Sequence, residues 1–149
     1  MPIVSNSGVD GRPTVVVDSS ALVHLLIDPS GVGEAIGERL RGAAIIAPAV
    51  LPFEVSNVLR RMRNSGALSE TEAVLAFRGY SSLPVELWPF DIVSERVWQL
   101  GHNVSAYDAA FIALAELIRC PLITADARLS GSPTIRASLE VFAAASPGL

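Results

Sequence analysis

Hydrophobic residues are distributed along the chain in two ways. Short runs have no polar interruption, and longer stretches place apolar positions three and four residues apart. Val15-Val16-Val17, Ala43–Ala47 and Pro121–Thr124 are runs of the first kind, rich in β-branched residues. They predict strands buried on both faces, as inside a parallel sheet. Val85–Trp88 alternates and is closed by Pro89, and Leu139–Phe142 predicts the last strand. Between the strands lie helical patterns. The first spans about Ser20 to Ile27, beginning at two serines able to cap it and stopping at Asp28-Pro29. Gly31–Arg41 predicts a second helix, weakened by Gly33 and Gly37. A long helix follows the second strand, with Pro48 and Pro52 at its beginning and Val50, Leu51, Val55, Val58, Leu59 and Met62 on its apolar face. Its end falls at Asn64-Ser65-Gly66. Ser69–Glu72 is a capping box that opens a helix to about Tyr80. Asp91 is the expected cap of a helix through Val93, Val97, Trp98 and Leu100, and Ser105 of another from Ala106 to Arg119. Strands separated by helices predict an α/β fold, a three-layer α/β/α sandwich around a mainly parallel sheet. Residues 1–13 show no periodicity and predict a flexible N-terminal tail, leaving 14–149 as one domain.

Composition narrows the class. Half of the 149 residues are hydrophobic, which excludes a disordered chain. No apolar run reaches membrane-spanning length and the N-terminus lacks a signal-peptide pattern, so the expectation is a soluble, cytoplasmic protein. The single Cys120 has no intrachain partner, in keeping with a reducing compartment. The net charge is −4, and all 11 basic residues are arginine. Without lysine, neither a phosphate-binding P-loop nor Schiff-base chemistry is available. A net-acidic chain is no nucleic-acid binder by bulk charge, although Arg60, Arg61 and Arg63 form a local basic cluster.

The chemistry lies in four carboxylates. Asp18 stands where the first strand ends, a position at which open α/β sheets bind ligands. Taken alone it reads first as a cap of the following helix. Glu54 lies early in the helix after the second strand and has no ion-pair partner four residues away on either side. Asp108 follows the Ser105 cap by three residues, where a carboxylate can close a capping box. It also shares a face with Phe111, Ile112 and Ala115, which turns it toward the interior. Asp126 follows the Leu122–Thr124 strand as Asp18 follows the first. A parallel sheet gathers such positions at one edge. Four acids meeting there repel one another, and burial raises their pKa values unless a hard cation with water and phosphate offsets the charge.

The residues around these acids carry a resemblance. Val15–Val23 and Pro52–Arg61 resemble the first two motifs of PIN-domain nucleases; Ser105–Ala115 and Leu122–Leu129 resemble the third and fourth. Order, spacing and length are similar to the VapC toxins of bacterial toxin–antitoxin pairs over residues 14–142. The resemblance implies that Asp18, Glu54, Asp108 and Asp126 form an acidic Mg²⁺ site, with Mn²⁺ able to substitute. Asp18, Asp108 and Asp126 would be the metal ligands, Glu54 would orient water or act as base, Ser20 and Thr124 would supply supporting hydroxyls, and Asn57 would brace the site. Arg60 and Arg61 are candidate holders of the RNA backbone. The implied activity is metal-dependent endoribonuclease action that inhibits translation, silenced by a cognate antitoxin, in a homodimer. Ser105 replaces the expected threonine, and the leading tail is longer than in many such proteins.

Two rivals remain. A phosphoaspartyl phosphatase would use Asp18 as nucleophile, but residue 20 is serine and no lysine exists. A PIN-like interaction module without activity is the other, and losing acids would be its mark. His24 and His102 lack ligand spacing. Trp88 and Trp98 read as core or interface residues, Glu116 and Arg119 as a surface pair, and Cys120 as a small buried hydrophobe.

Overall fold

Val15, Val16 and Val17 are completely buried. An uninterrupted β-branched run needs a sheet covered on both faces to achieve that. In the computed structural model, which describes residues 10–28 and 30–143, they belong to β1 (Thr14–Val17), the central strand of five. The others are β2 (Ala44–Pro48), β3 (Val85–Trp88), β4 (Leu122–Thr124) and β5 (Leu139–Val141). Their order is β3-β2-β1-β4-β5, with every pairing parallel. Val15 lies opposite Ile45, and Val17 opposite Ile123. Among the described residues the helices are α1 (Ser19–Ile27), α2 (Gly31–Leu40), α3 (Leu51–Asn64), α4 (Glu70–Ser81), α5 (Ser94–Gln99) and α6 (Ala106–Ile118).

The chain steps outward from β1 to β2 to β3, then returns to place β4 on the other side of β1. Right-handed crossovers put the helices of the two directions on opposite faces. The packing agrees: α1 lies against α2, α3 and α4, whereas α6 lies against α5, β1 and β2. This is the expected three-layer sandwich. Ala109 through Ala115 of α6 are all buried, so its alanines serve close approach to the sheet. The reversal of direction leaves a switch point between the carboxyl ends of β1 and β4, where a crevice opens.

Several local expectations differ from the structure. Asp18 itself caps α1, its Oδ1 accepting the Ala21 N–H, so the helix starts at Ser19 and the serines are free for other work. Pro48 ends β2 opposite Trp88 instead of opening α3, a place where its missing N–H breaks no ladder bond. Asp91 caps no α-helix: Phe90–Ile92 form a 3₁₀ turn and α5 begins at Ser94. Arg119 ends α6 in the left-handed region with φ 58°, so it leaves the helix surface and cannot pair with Glu116. Glu116 instead accepts from Arg96 Nε at 2.6 Å and the Arg136 N–H at 2.8 Å. Trp98 is 86% exposed and belongs to no core. The Ser69–Glu72 capping box forms with both of its bonds. Cys120 is buried among apolar groups, which pushes its thiol up to about 11 and leaves it inert. Most of the expected tail, and residues 144–149 of the domain, lie outside the described residues. Pro13 is held, its carbonyl accepting the Ala44 N–H at 2.8 Å. No helix of the described residues is long and apolar enough to cross a membrane.

Gly33 does more than weaken α2. A Cβ there would sit 1.7 Å from the Asp28 carbonyl oxygen, whereas one at Gly37 meets only the Leu25 side chain at 3.3 Å. Close packing of α2 on the end of α1 therefore needs glycine at 33. Gly33→Ala is expected to destabilise the protein by about 1–3 kcal/mol despite the helix preference of alanine, and Gly37→Ala by much less. Urea unfolding of both variants checks this, and a stabilised Gly33→Ala would contradict the packing account.

Candidate active site

Asp18 is held at the switch point by a ring of bonds joining the ends of β1 and β4. Its Oδ1 accepts the Ser20 hydroxyl at 2.6 Å and the Ala21 N–H at 3.0 Å, and its Oδ2 accepts the Thr124 hydroxyl. Each hydroxyl oxygen in turn accepts a backbone N–H from the loop after β4: Ala125 to Ser20 and Asp126 to Thr124, both at 3.0 Å. The two hydroxyl oxygens also lie 3.3 Å from each other, and the shorter contacts, to Asp18, are the ones their protons make. A carboxylate has about four acceptor positions; three are filled, and one on Oδ2 stays open. Asp18 is only 7% exposed, and burial raises its pKa against the lowering effect of these bonds. The cap and the open acceptor position belong to one side chain. It caps α1 and still retains a lone pair.

Glu54 comes from the first turn of α3 and Asp108 from the first turn of α6. The Ser19 hydroxyl donates to Glu54 Oε2 at 2.7 Å. Burial, and then the charges of Asp108 and Asp18, raise the Glu54 pKa. Ser105 accepts the Asp108 N–H at 3.1 Å, but among the described residues no bond runs back from the Ser105 N–H to the carboxylate, so the capping box is not closed. The Asp108 carboxyl is half-buried and raised, first by desolvation and then by Asp126. Asp126 is different. Its carboxylate receives Arg128 Nε at 2.9 Å, Arg128 Nη2 at 2.7 Å and the Arg128 N–H at 3.0 Å, which hold its pKa below the ordinary range. Among the described residues three of the four acids thus have no ion-pair partner and raised pKa values, and the fourth is paired with Arg128.

Clefts open on both sides of the acids. One of about 560 Å³ is lined by Ser19, Phe53, Glu54, Asn57, Arg61 and Tyr107, among others. The second, about 490 Å³, is lined by Ser105, Asp108, Asp126 and Arg128 with their neighbours. Arg61 thus reaches the site, but Arg60 does not: it faces a separate groove between α3 and α4 with Arg63, Phe77 and Arg78. Helical phase explains the division, since Arg61 is seven residues from Glu54 on the same face and Arg60 is not. Asn57 lines the cleft but forms no hydrogen bond to any of the acids, so it does not brace them. Ser19 and Arg128 were missed in the sequence. Each adjoins a named acid, Ser19 next to Asp18 and Arg128 two residues after Asp126, and that adjacency was the available signal.

The sequence profile of the PIN domain family matches residues 15–131. The chain belongs to the PIN-domain family. Among curated relatives, Ribonuclease VapC12 of Mycobacterium tuberculosis is 36% identical over 129 residues, covering 87% of this chain and 99% of that protein. The crystal structure of PAE2754 from Pyrobaculum aerophilum superimposes with a TM-score of 0.62 at 24% identity, covering 86% of this chain and 83% of the other. That of VapBC-5 from Mycobacterium tuberculosis, described as a member of the VapBC family of toxin-antitoxin systems, gives 0.50 at 18% identity, covering 88% and 98%.

The donor set of this PIN domain suits a hard divalent cation. Among the described residues no three acidic, histidine or cysteine side chains close round a common point. An ion here would be held by one or two carboxylates, with oxygen from water and phosphate completing its shell, which is how Mg²⁺ is usually bound. The open Oδ2 position of Asp18 and the raised, half-buried Asp108 fit that role.

The raised acids have a consequence for stability. A carboxyl with a folded pKa above its unfolded value holds protons that the unfolded chain has released, so stability falls as pH rises through that window. Without metal, Asp108→Asn should melt a few degrees higher than the parent at pH 7. The gap should shrink below the ordinary value of 3.8, where the group is protonated in both states. Mg²⁺ should stabilise the parent, by binding its native state, far more than the variant. Thermal melts against pH, in EDTA and in Mg²⁺, check both; a less stable variant at pH 7 in EDTA would contradict the charge account.

Proposed function

We propose that this PIN-domain protein is a VapC-type, metal-dependent endoribonuclease that cleaves RNA and thereby inhibits translation. The observation that carries it is the placement of Asp18, Glu54 and Asp108 at the β1–β4 switch point, with raised pKa values and no cationic side chain bonded to any of them among the described residues. The ribonuclease VapC12, similar over nearly its whole length, supports the reading.

Asp18 and Asp108 hold Mg²⁺, or Mn²⁺ in its place, whose chemistry when bound is to offset phosphate charge and to acidify a water. Ser20 and Thr124 keep Asp18 from rotating, so its one open lone pair has a fixed direction. Glu54 is anchored through Oε2 by Ser19, leaving Oε1 to orient the attacking water. Its raised pKa brings it nearer to neutrality and makes it a better proton acceptor. Asp126 is a reserve ligand, because its bond to the exposed Arg128 must open first. Arg61 faces the cleft where the RNA backbone passes. Nucleophilic attack by Asp18 itself, the phosphatase alternative, is poorly served by a carboxylate only 7% exposed and hydrogen-bonded on both oxygens.

The purified protein is expected to cut RNA with Mg²⁺ or Mn²⁺ and to stop in EDTA. Asp18→Asn and Asp108→Asn should each lower turnover by more than about 100-fold, while Thr124→Val, acting through Asp18, should cost about 10- to 100-fold. Cleavage that survives EDTA would remove the metal mechanism, and its absence in the clean parent protein would favour an interaction module.

The same reading assigns a cytoplasmic place of action, a homodimer and a protein antitoxin. The VapBC-5 neighbour, described as belonging to a toxin-antitoxin family, supports the last. An anionic site is neutralised by an inserted Arg or Lys as well as by a metal ion. A co-expressed antitoxin should therefore abolish cleavage and protect the α3 and α6 N-termini from hydrogen exchange. A bound partner that leaves both unchanged would contradict this.

A further inference from the structure

The cleft beside Glu54 has more to it than the acids need. Phe53 is 72% exposed and Tyr107 is 60% exposed, and both line it, one from α3 and one from the first turn of α6. Asn57 and Arg61 line it too. Among the described residues, Arg61 forms no ion pair and Asn57 no side-chain hydrogen bond, whereas Arg39, Arg96 and Arg128 are all committed to carboxylates. Two apolar ring faces, one amide and one free guanidinium thus share a single concave wall. Glu54 and Ser19 belong both to this cleft and to the acid set. A polymer whose phosphate lies at the acids has this cleft as one of its two ways on, the other being the cleft beside Asp108 and Asp126.

Those groups match the parts of an unpaired nucleotide. A base released from its stack offers a π-face to an aromatic side chain, an in-plane edge to an amide, and a flanking phosphate to a guanidinium. A paired base offers none of its faces. We propose that this cleft is a subsite for one unpaired nucleotide of the RNA substrate adjoining the scissile phosphate. Tyr107 and Phe53 stack on the base, Asn57 contacts its edge, and Arg61 holds the next phosphate. The proposal rests on the ribonuclease reading and deepens it: Phe53, Tyr107, Asn57 and Arg61 are the side chains that select and hold the nucleotide beside the cut.

The test uses Asp108→Asn protein, in which cleavage is expected to be strongly slowed, and a pool of hexaribonucleotides with randomised bases and one central 2-aminopurine riboside. Stacking quenches the fluorophore, so titration in Mg²⁺ is expected to show saturable quenching. Added Tyr107→Ala or Phe53→Ala should weaken it by roughly fivefold or more each, and Tyr107→Phe, which keeps the ring, should retain it. Arg61→Gln should lower the slope of log K against log salt by about 0.7, the value for one phosphate on a single strand. Quenching that is absent, or indifferent to both alanine variants, overturns the proposal. A change in sedimentation mass of the RNA-free protein on either substitution also overturns it, by assigning the cleft to a second copy of the chain. If the unmutated protein cuts no RNA but quenching still depends on the two rings, the ribonuclease reading fails and the nucleotide site stands. If it cuts RNA and quenching ignores them, the reverse holds.

Discussion

Two hydroxyl protons, on Ser20 and Thr124, orient the acidic edge of this fold. Both hydroxyls donate to Asp18, and both oxygens accept backbone N–H groups from the loop after β4. The ring ties the ends of strands that are neighbours in the sheet but more than a hundred residues apart in the chain. Its members are buried or half-buried, where hydrogen bonds are strong and unsatisfied groups are costly. Asp18 is thereby kept in one rotamer, and a ligand approaching the switch point meets a lone pair of fixed direction.

That rigidity carries an electrostatic cost. Asp18, Glu54 and Asp108 are drawn together by a topology that delivers strand ends and helix starts to one edge, and burial raises all three. Among the described residues an ion pair relieves the charge at Asp126, through Arg128, which also lies close enough to lower the Asp108 pKa somewhat. The proposed metal-binding role accounts for the imbalance. A site fully neutralised by its own arginines would have no need of a cation, and a site with four bare acids would be harder to fold. The arrangement is a stability–activity compromise of the kind expected at catalytic centres.

The charge pattern outside the acids follows the same division. Arg39 ties α2 to Glu140 of β5, and Arg96 ties α5 to Glu116 of α6. Arg61, beside the acids, has no ion-pair partner among the described residues. The net charge of −4 conceals this sorting, because it sums cations that fasten the scaffold with one placed where an anionic polymer would pass.

Much of this was legible in the sequence by itself. Unbroken β-branched runs are stable only in a covered parallel sheet, so β1, β2 and β4 and the α/β class followed from local pattern. Ser69 with Glu72, and Ser105, were readable as caps because their bonds span only three residues. The four acids were readable as a set because every one falls at a strand end or a first helical turn. What tertiary structure alone decided were the partners. Ser19 reaches Glu54 across 35 residues and Thr124 reaches Asp18 across 106, and no local pattern encodes such pairings. The left-handed ending at Arg119, which sends Glu116 to Arg96 instead, depends on how the chain must turn into β4. The separation of Arg60 from Arg61, and of neutralised Asp126 from its three charged neighbours, likewise depends on which side chains meet in space. Periodicity and capping act within a few residues, and so the sequence determined the elements and where its acids gather. The state of each acid is set by burial and by contacts at long range, and those exist only once the sheet has closed.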